Sequence, residues 1–414
     1  MAAPLITAGP REAPSPAVAP PPGNPRFGLF DSLRAIAVLA ILTFHAASVT
    51  GALADPVTGP VVSVFGSLGP ALFFVISGFL LYRPFVVARV AGDPAPGTAR
   101  YARRRALRIL PAYWTALTVL ALFPGIVGVF SGDWWRYYLF LQSYSARTFG
   151  GGIPVAWTLC VEVAFYIMLP VWALAIRLAT RGRGATAGWR WELGALALLA
   201  ATGVGFQLAA ARQVVPYLVS ESIAGQSTWL AFGMALAVLS VAAQRAPRAP
   251  WLARVVTRHA GLCWIGAVGA LAALAAVTPA DGIFAVAARL AVKQPVGATL
   301  RNIALSAILL ALLVLPAVFG QRAGGVPRRV LAWAPLAFLG LISYGVYLWH
   351  LTLLELLGLS ADPTHFSAAG LGLTTSLHHG TTLVLLGLTL AASMAVATVS
   401  YHAVELPFLR LKER

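Results

Sequence analysis

The stretch Asp31-Ser32-Leu33-Arg34-Ala35-Ile36-Ala37-Val38-Leu39-Ala40-Ile41-Leu42-Thr43-Phe44-His45 decides what kind of chain this is. An arginine stands at the mouth of an apolar run and a histidine deep inside it, eleven residues further on. As α-helix that interval rises about 16 Å, roughly half of the ~30 Å hydrocarbon core of a bilayer. His45 is then expected near mid-membrane, with Arg34 at the surface where the chain enters. An ionisable side chain at that depth costs free energy and is read by default as functional.

The composition agrees with a membrane environment. Of 414 residues, 59% are hydrophobic and 10% charged, against about a quarter charged in soluble domains. The mean hydropathy is +0.80. Apolar runs continue for about twenty residues and do not alternate over ten, as barrel strands would. The expected fold is therefore an all-α integral membrane protein, a polytopic bundle of about ten transmembrane helices. Spans are placed near 33–53, 63–82, 107–130, 157–178, 191–211, 222–243, 260–278, 302–319, 334–357 and 380–402.

The net charge of +17 would suggest nucleic acid in a soluble protein. Here the arginines sit in short connections between apolar runs, so no nucleic-acid partner is expected. With the N-terminus inside, twenty-four of the 30 Lys and Arg residues fall on the inner side and six outside. That bias places both termini in the cytoplasm, in a multi-pass protein of the cell membrane. Membrane lipids are the expected surroundings, and Arg100, Arg103 and Arg104 suit an anionic leaflet.

Residues 1–26, rich in Pro and Ala, read as a disordered cytoplasmic tail. Residues 27–406 form the membrane domain, and 407–414 a basic C-terminal tail. Arg26 and Arg34 before an apolar run, followed by Ala52-Leu53-Ala54, resemble a signal peptide. The length of the run, its histidine and the abundance of alanine argue against cleavage. Cys160 and Cys263 fall in spans near opposite faces, so no disulfide is expected. No CxxC or HExxH pattern occurs, and no metal is expected. The outer connection 124–156 carries Trp134, Trp135, Tyr137, Tyr138 and Phe140, which reads as an interfacial helix or an aromatic belt.

Several ionisable residues fall inside or beside the spans. Asp31, Arg34 and His45 read as a catalytic Asp31 with a cytoplasmic phosphate or carboxylate site at Arg34 feeding a base at His45. The other reading is a topology signal at Arg34 and a polar clamp at His45, with Asp31 equally an N-cap of the first helix. Glu162, in Trp157-Thr158-Leu159-Cys160-Val161-Glu162, lies within span four, and His350 closes Ser343-Tyr344-Gly345-Val346-Tyr347-Leu348-Trp349-His350 in span nine. If their helices meet, His45, Glu162 and His350 make a group suited to general-base work on a hydroxyl, or to a proton relay. A zinc site is a weaker reading of the same trio. Arg105 and Arg108 lie one turn apart, on a face that grips phosphates or anchors to anionic lipid. Gly66, Gly69, Ser77 and Gly78 offer span two small surfaces for close helix contact. His365, His378 and His379 belong in or beside the last outer connection.

Taken together, the runs Asp31-x-x-Arg34-x(10)-His45, Gly69-Pro-Ala-Leu-Phe-Phe-Val-Ile-Ser-Gly78, Arg105-x-x-Arg108 before Ile109-Leu110-Pro111, Trp157-Thr-Leu-Cys-Val-Glu162 and Ser343-Tyr-Gly-Val-Tyr-Leu-Trp-His350 resemble the acyltransferase 3 family of membrane O-acyltransferases. They occur in family order from residue 27 onward. Cys160 departs from the Ser common there, and no soluble domain follows span ten. The resemblance implies transfer of an acyl group from cytoplasmic acyl-CoA, with acetyl-CoA the expected donor. The implied acceptor is a hydroxyl of a sugar, glycan, lipid or secreted metabolite. It implies His45 as base or transient acyl carrier, and Arg34, Arg105 and Arg108 as residues facing the donor's phosphates. Glu162 and His350 would lie towards the acceptor. The competing reading is a proton-coupled transporter using the same buried His and Glu as a relay, although no internal repeat supports it. A non-catalytic export scaffold is a third.

Overall fold

A computed structural model describes residues 27–246, 250–280, 292–319, 324–358 and 379–411. The expected tail 1–26, residues 281–291 of the connection 279–301, His365, His378 and residues 412–414 lie outside them. Ten helices overlap the ten expected spans: α1 Leu29–Thr50, α2 Gly59–Ala91, α3 Thr98–Leu122, α4 Trp157–Ala179, α5 Ala185–Ala211, α6 Ile223–Arg245, α7 Ala260–Ala276, α8 Val296–Val318, α9 Ala334–Gly358 and α10 His379–Ser400. The described residues form an all-helical membrane protein without strands.

Eight of the ten are long and apolar enough to cross a bilayer on their own, and α7 joins them if Trp251–Arg258 is counted with it across an 89° bend. The exception is α3, which carries five arginines between residues 100 and 108. Its helix begins nine residues before the expected span because those arginines continue the helix and can reach polar surroundings on long stems. Similarly, α2 runs 33 residues, through Pro70 and Pro84, well beyond 63–82. Hydropathy sees only the apolar part of such helices.

In hydrocarbon, helices gain little from burying apolar surface, so close backbone approach must hold them together. The glycines supply it. A methyl group on Gly69 of α2 would meet the Ala37 carbonyl of α1 at 2.8 Å, and one on Gly66 would meet the Phe44 ring at 2.8 Å. Gly78 of α2 and Gly233 of α6 face each other's backbones, the first against the Leu230 carbonyl and the second against that of Val75. On the other side of α1, Gly340 of α9 lies against the Asp31 carbonyl. Helix α1 is thus clamped between α2 and α9, and Phe30, Leu33, Ala37 and Val38 are fully buried.

Polar bonds complete the scaffold. The Glu192 carboxylate of α5 is fully buried and pairs with Arg89, and accepts a 2.5 Å hydrogen bond from the Tyr82 hydroxyl, both on α2. Arg83 donates to Ser240 and Gln244 of α6 and stacks its guanidinium over Phe27 at 4.8 Å. The connection 124–156 is folded against the helices. Of its aromatics, Tyr137 and Phe140 are core residues, and Phe140 stacks on Tyr113 at 4.3 Å. Trp134 and Trp135 remain exposed, on a helix of only five residues. Both cysteines are buried and free.

Replacing Gly233 by leucine should therefore destabilise the bundle by roughly 1–3 kcal/mol or more, the cost of overpacking a closed contact. Gly205→Ala on α5, where a methyl meets nothing within 4 Å, should be neutral or slightly stabilising. Unfolding titrations in mixed detergent micelles would compare the two, and equal effects would contradict the packing described.

Candidate active site

The residues singled out in the sequence gather at two levels along α1. The first level surrounds Arg34. Its guanidinium donates to Asp31 at 2.9 Å, one turn away on the same helix, and both side chains are 22% exposed. Asp31 is therefore a partner of Arg34 more than a cap, and the helix itself begins earlier, at Leu29 with Gly28 at its N-cap. Arg34 also interacts electrostatically with Arg108 of α3 and with Glu162 and Tyr166 of α4. Tyr166 in turn interacts with Glu162, Arg105 and Arg108, and the Arg105 guanidinium lies 6.0 Å from its ring centre. Three arginines thus converge with two carboxylates. Arg105 keeps an Nε–H that is buried and without a hydrogen-bond partner. Arg103 and Arg104, by contrast, are exposed.

Glu162 belongs to this level. It accepts a 2.7 Å hydrogen bond from the Ser77 hydroxyl of α2, and among the described residues no hydrogen bond or ion pair joins it to either histidine. The expectation of a His/Glu/His group therefore divides. The acid sits with the arginines, and the two histidines pair with each other.

The second level holds those histidines. The rings of His45 and His350 stand 5.3 Å apart, tilted by 40°. His350 is fully buried, whereas His45 is partly exposed. The Nδ1 of His350 lies 2.8 Å from the Tyr347 carbonyl. A carbonyl can only accept, so Nδ1 carries the proton and Nε2 keeps its lone pair. That Nε2 is buried and has no hydrogen-bond partner. Ring contact, one defined tautomer and a spare lone pair make this a basic site walled by apolar helix.

Direct contacts tie all five sequence motifs together. Gly69 lies on α1, and Ser77 bonds Glu162. The Tyr344 hydroxyl donates to the Ile109 carbonyl at 2.9 Å, just after the arginine pair. The Tyr347 and Thr158 hydroxyls are 2.8 Å apart, and Tyr347 also donates to the Val155 carbonyl at 2.6 Å. Sequence reading passed over Tyr166, Tyr344 and Tyr347 as site residues. Tyr344 and Tyr347 lie inside a motif and Tyr166 one turn beyond another, which is their only sequence signal, because a tyrosine in an aromatic-rich span carries no depth information.

Among the described residues, no cluster of three His, Cys, Asp or Glu side chains could hold a metal ion. An open hollow of about 420 Å³ lies elsewhere, lined by Val129, Phe130, Ser131, Trp134 and Tyr138, with none of the candidate residues in its wall.

Comparison with known proteins supplies the context for this geometry. A curated relative, nodulation protein 10 of Rhizobium leguminosarum bv. viciae, is 29% identical over 34% of this chain. That match spans 43% of the relative, less than half of its length. No solved structure matches. The family model described as an acyltransferase domain matches residues 28–402, which is most of the chain and every helix discussed above. With that coverage, and with the family's motifs meeting at one site, the chain belongs to the acyltransferase 3 family.

Proposed function

We propose that this membrane protein is an acyl-CoA-dependent O-acyltransferase that moves an acyl group, acetyl in the simplest case, onto a hydroxyl. The acceptor class is a sugar, glycan, lipid or secreted metabolite. The observation that carries the reading is the two-level arrangement on α1: an arginine cluster with an unspent donor at Arg105, and a histidine pair about 16 Å further along the helix.

The division of labour follows from the chemistry of each level. CoA carries phosphates at one end and a thioester at the other. Arg34, Arg105 and Arg108 suit the phosphates, since guanidinium groups bind them in planar, bidentate fashion. Asp31 orients Arg34, and Glu162, held by Ser77, offsets part of the repulsion among the arginines. The thioester then extends towards the histidines. His45, the partly accessible one, acts as base towards the acceptor hydroxyl or as a transient acyl carrier, and His350 backs it with a fixed tautomer. A cell-membrane location with cytoplasmic termini puts the arginines on the side where acyl-CoA is made.

Purified protein supplied with radiolabelled acetyl-CoA should release CoA or acquire label, and His45→Ala should lower turnover at least about 100-fold. Full turnover by that variant at normal protein levels would remove His45 from the chemistry. Acetyl-CoA that is neither bound nor consumed by the wild type would favour the transporter reading.

Arg105→Ala and Arg108→Ala should each raise KM for acetyl-CoA by about 10-fold, as expected for loss of a charge-assisted hydrogen bond, with a smaller effect on kcat. Steady-state kinetics over a range of donor concentrations would read this, and an effect confined to kcat would contradict a phosphate-binding role.

A further inference from the structure

On α10, buried positions recur every three or four residues. Thr382, Leu385, Thr389, Ser393, Ala397 and Ser400 form one buried stripe, while Leu383, Val384, Leu388 and Val399 are exposed. Both ends of that stripe have known partners. Thr382 shares a 2.7 Å hydrogen bond with Thr50 of α1, and Leu385 packs with Ala46 of α1 and Leu354 of α9. At the other end Ala397 lies against Gly345 of α9, where an added methyl would meet the alanine Cβ at 2.9 Å. Thr389 and Ser393 sit between these points, one helical turn apart on the same face. They therefore face the seam between α1 and α9. On that seam, between Ala46 with Leu354 and Gly345, lie His45 and His350.

Neither hydroxyl is used by the fold. Thr389 is 1% exposed and Ser393 0%, and neither Oγ has a hydrogen-bond partner. A helical Ser or Thr normally returns its hydroxyl to the carbonyl one turn back, as Thr43 and Thr398 do here. Buried hydroxyls that decline that bond leave two O–H donors unspent, in the same layer as the unspent Nε2 lone pair of His350. The layer is closed on one side by Ala46, Leu354 and Leu385. Two donors and a neutral imidazole suit neither a cation nor a phosphate. They suit an acceptor-only oxygen with apolar flanks, such as the carbonyl of a thioester.

We propose that Thr389 and Ser393 form the oxyanion hole of this acyltransferase, donating to the thioester carbonyl held against the His45–His350 pair. The proposal rests on the acyl-CoA reading and adds to it the residues that stabilise the tetrahedral intermediate. The acceptor oxygen forms the new C–O bond as its proton passes to His45. The carbonyl electron pair moves onto oxygen, where the two hydroxyls stabilise the developing charge. When the carbonyl re-forms, the C–S bond breaks, and the leaving thiolate takes the proton from the imidazolium to become CoA. Donors in a dry layer are effective because nothing needs to reorient as charge develops.

The test uses full-length wild-type protein, Ser393→Ala, Thr389→Val and the double variant. Each is assayed in membrane vesicles of the expressing cells, so that the native acceptor is present. Acetyl-CoA is the donor, and thiol release over a vector control is the readout. Purified samples report acetyl-CoA binding and thermal unfolding. Each single variant should lose about 10- to 1000-fold in kcat, with KM and acetyl-CoA binding within about twofold of wild type. The conservative exchanges Ser393→Thr and Thr389→Ser, which keep the donor, should retain most of the rate. Equal kcat in wild type and the folded double variant would overturn the oxyanion assignment while leaving acyl transfer intact. So would a loss that tracks thermal stability and is not rescued by the conservative exchanges. A wild type that binds acetyl-CoA and releases no thiol would overturn the acyltransfer reading, and this proposal with it.

Discussion

One uninterrupted helix holds Arg34 and His45 in a fixed relation, and most of the molecule is arranged to keep that helix in place. Over eleven residues of α1 the rise is about 16 Å, and neither residue can shift along the axis without carrying the other. Gly69 of α2 and Gly340 of α9 bring backbone to backbone on two sides of it, while the Ser32 hydroxyl ties its start to the Leu331 carbonyl at 2.6 Å. Because lipid is as apolar as any leucine, such close contacts and not apolar burial set the geometry. A polar group at each end of a rigid rod sets two sites at a fixed separation.

The charges divide along that rod according to what each must oppose. At the arginine level, Arg34 pairs with Asp31 and lies within electrostatic reach of Arg108 and Glu162, and Tyr166 within that of Arg105 and Arg108. One hydroxyl, Ser77, is spent on Glu162. The excess is positive and asks for an anion. The histidine level has no full charge within its hydrogen bonds. The Tyr347 carbonyl accepts from Nδ1–H of His350 and so fixes its tautomer. Charge at the mouth and neutrality at depth is the cheaper arrangement in a bilayer, because an unpaired charge near the midplane costs more than a dipole.

The ten helices and the members of the site were legible in the sequence because apolar run length and isolated ionisable residues are one-dimensional signals. What the sequence could not carry was which residues share a level. Depth alone puts Glu162 near the histidines and cannot say whether their helices meet. The actual grouping depends on α2 crossing α4 so that Ser77 meets the acid, a relation that no spacing encodes. The same holds for Tyr137 and Phe140, which look like a headgroup belt until glycines 128, 151 and 152 leave room for the Tyr137 ring to turn inward. Thr389 and Ser393 carried no signal at all. In an alanine- and leucine-rich span a hydroxyl is an ordinary helix residue, and only the absence of its bond to the preceding turn distinguishes it.

That distinction separates the buried polar groups of this protein into two kinds more sharply than burial does. Arg328 is only 3% exposed, yet it donates to the carbonyls of Val256, Thr257, Pro316, Phe319 and Gly324. All five N–H donors of a guanidinium are thereby used on carbonyls that helix ends leave open. Glu192 is likewise spent on Arg89 and Tyr82. Such groups are structural, because breaking them leaves an uncompensated charge and completing them needs no ligand. Arg105, His350, Thr389 and Ser393 each retain a buried atom with nothing to bond. A fold that satisfies five donors on Arg328 has the means to satisfy these as well. Unpartnered buried atoms also occur elsewhere, as at Gln142, Ser143, Trp172 and Trp189, so it is the position of these four on the helices packed around the two levels of α1 that supports the proposed substrate site.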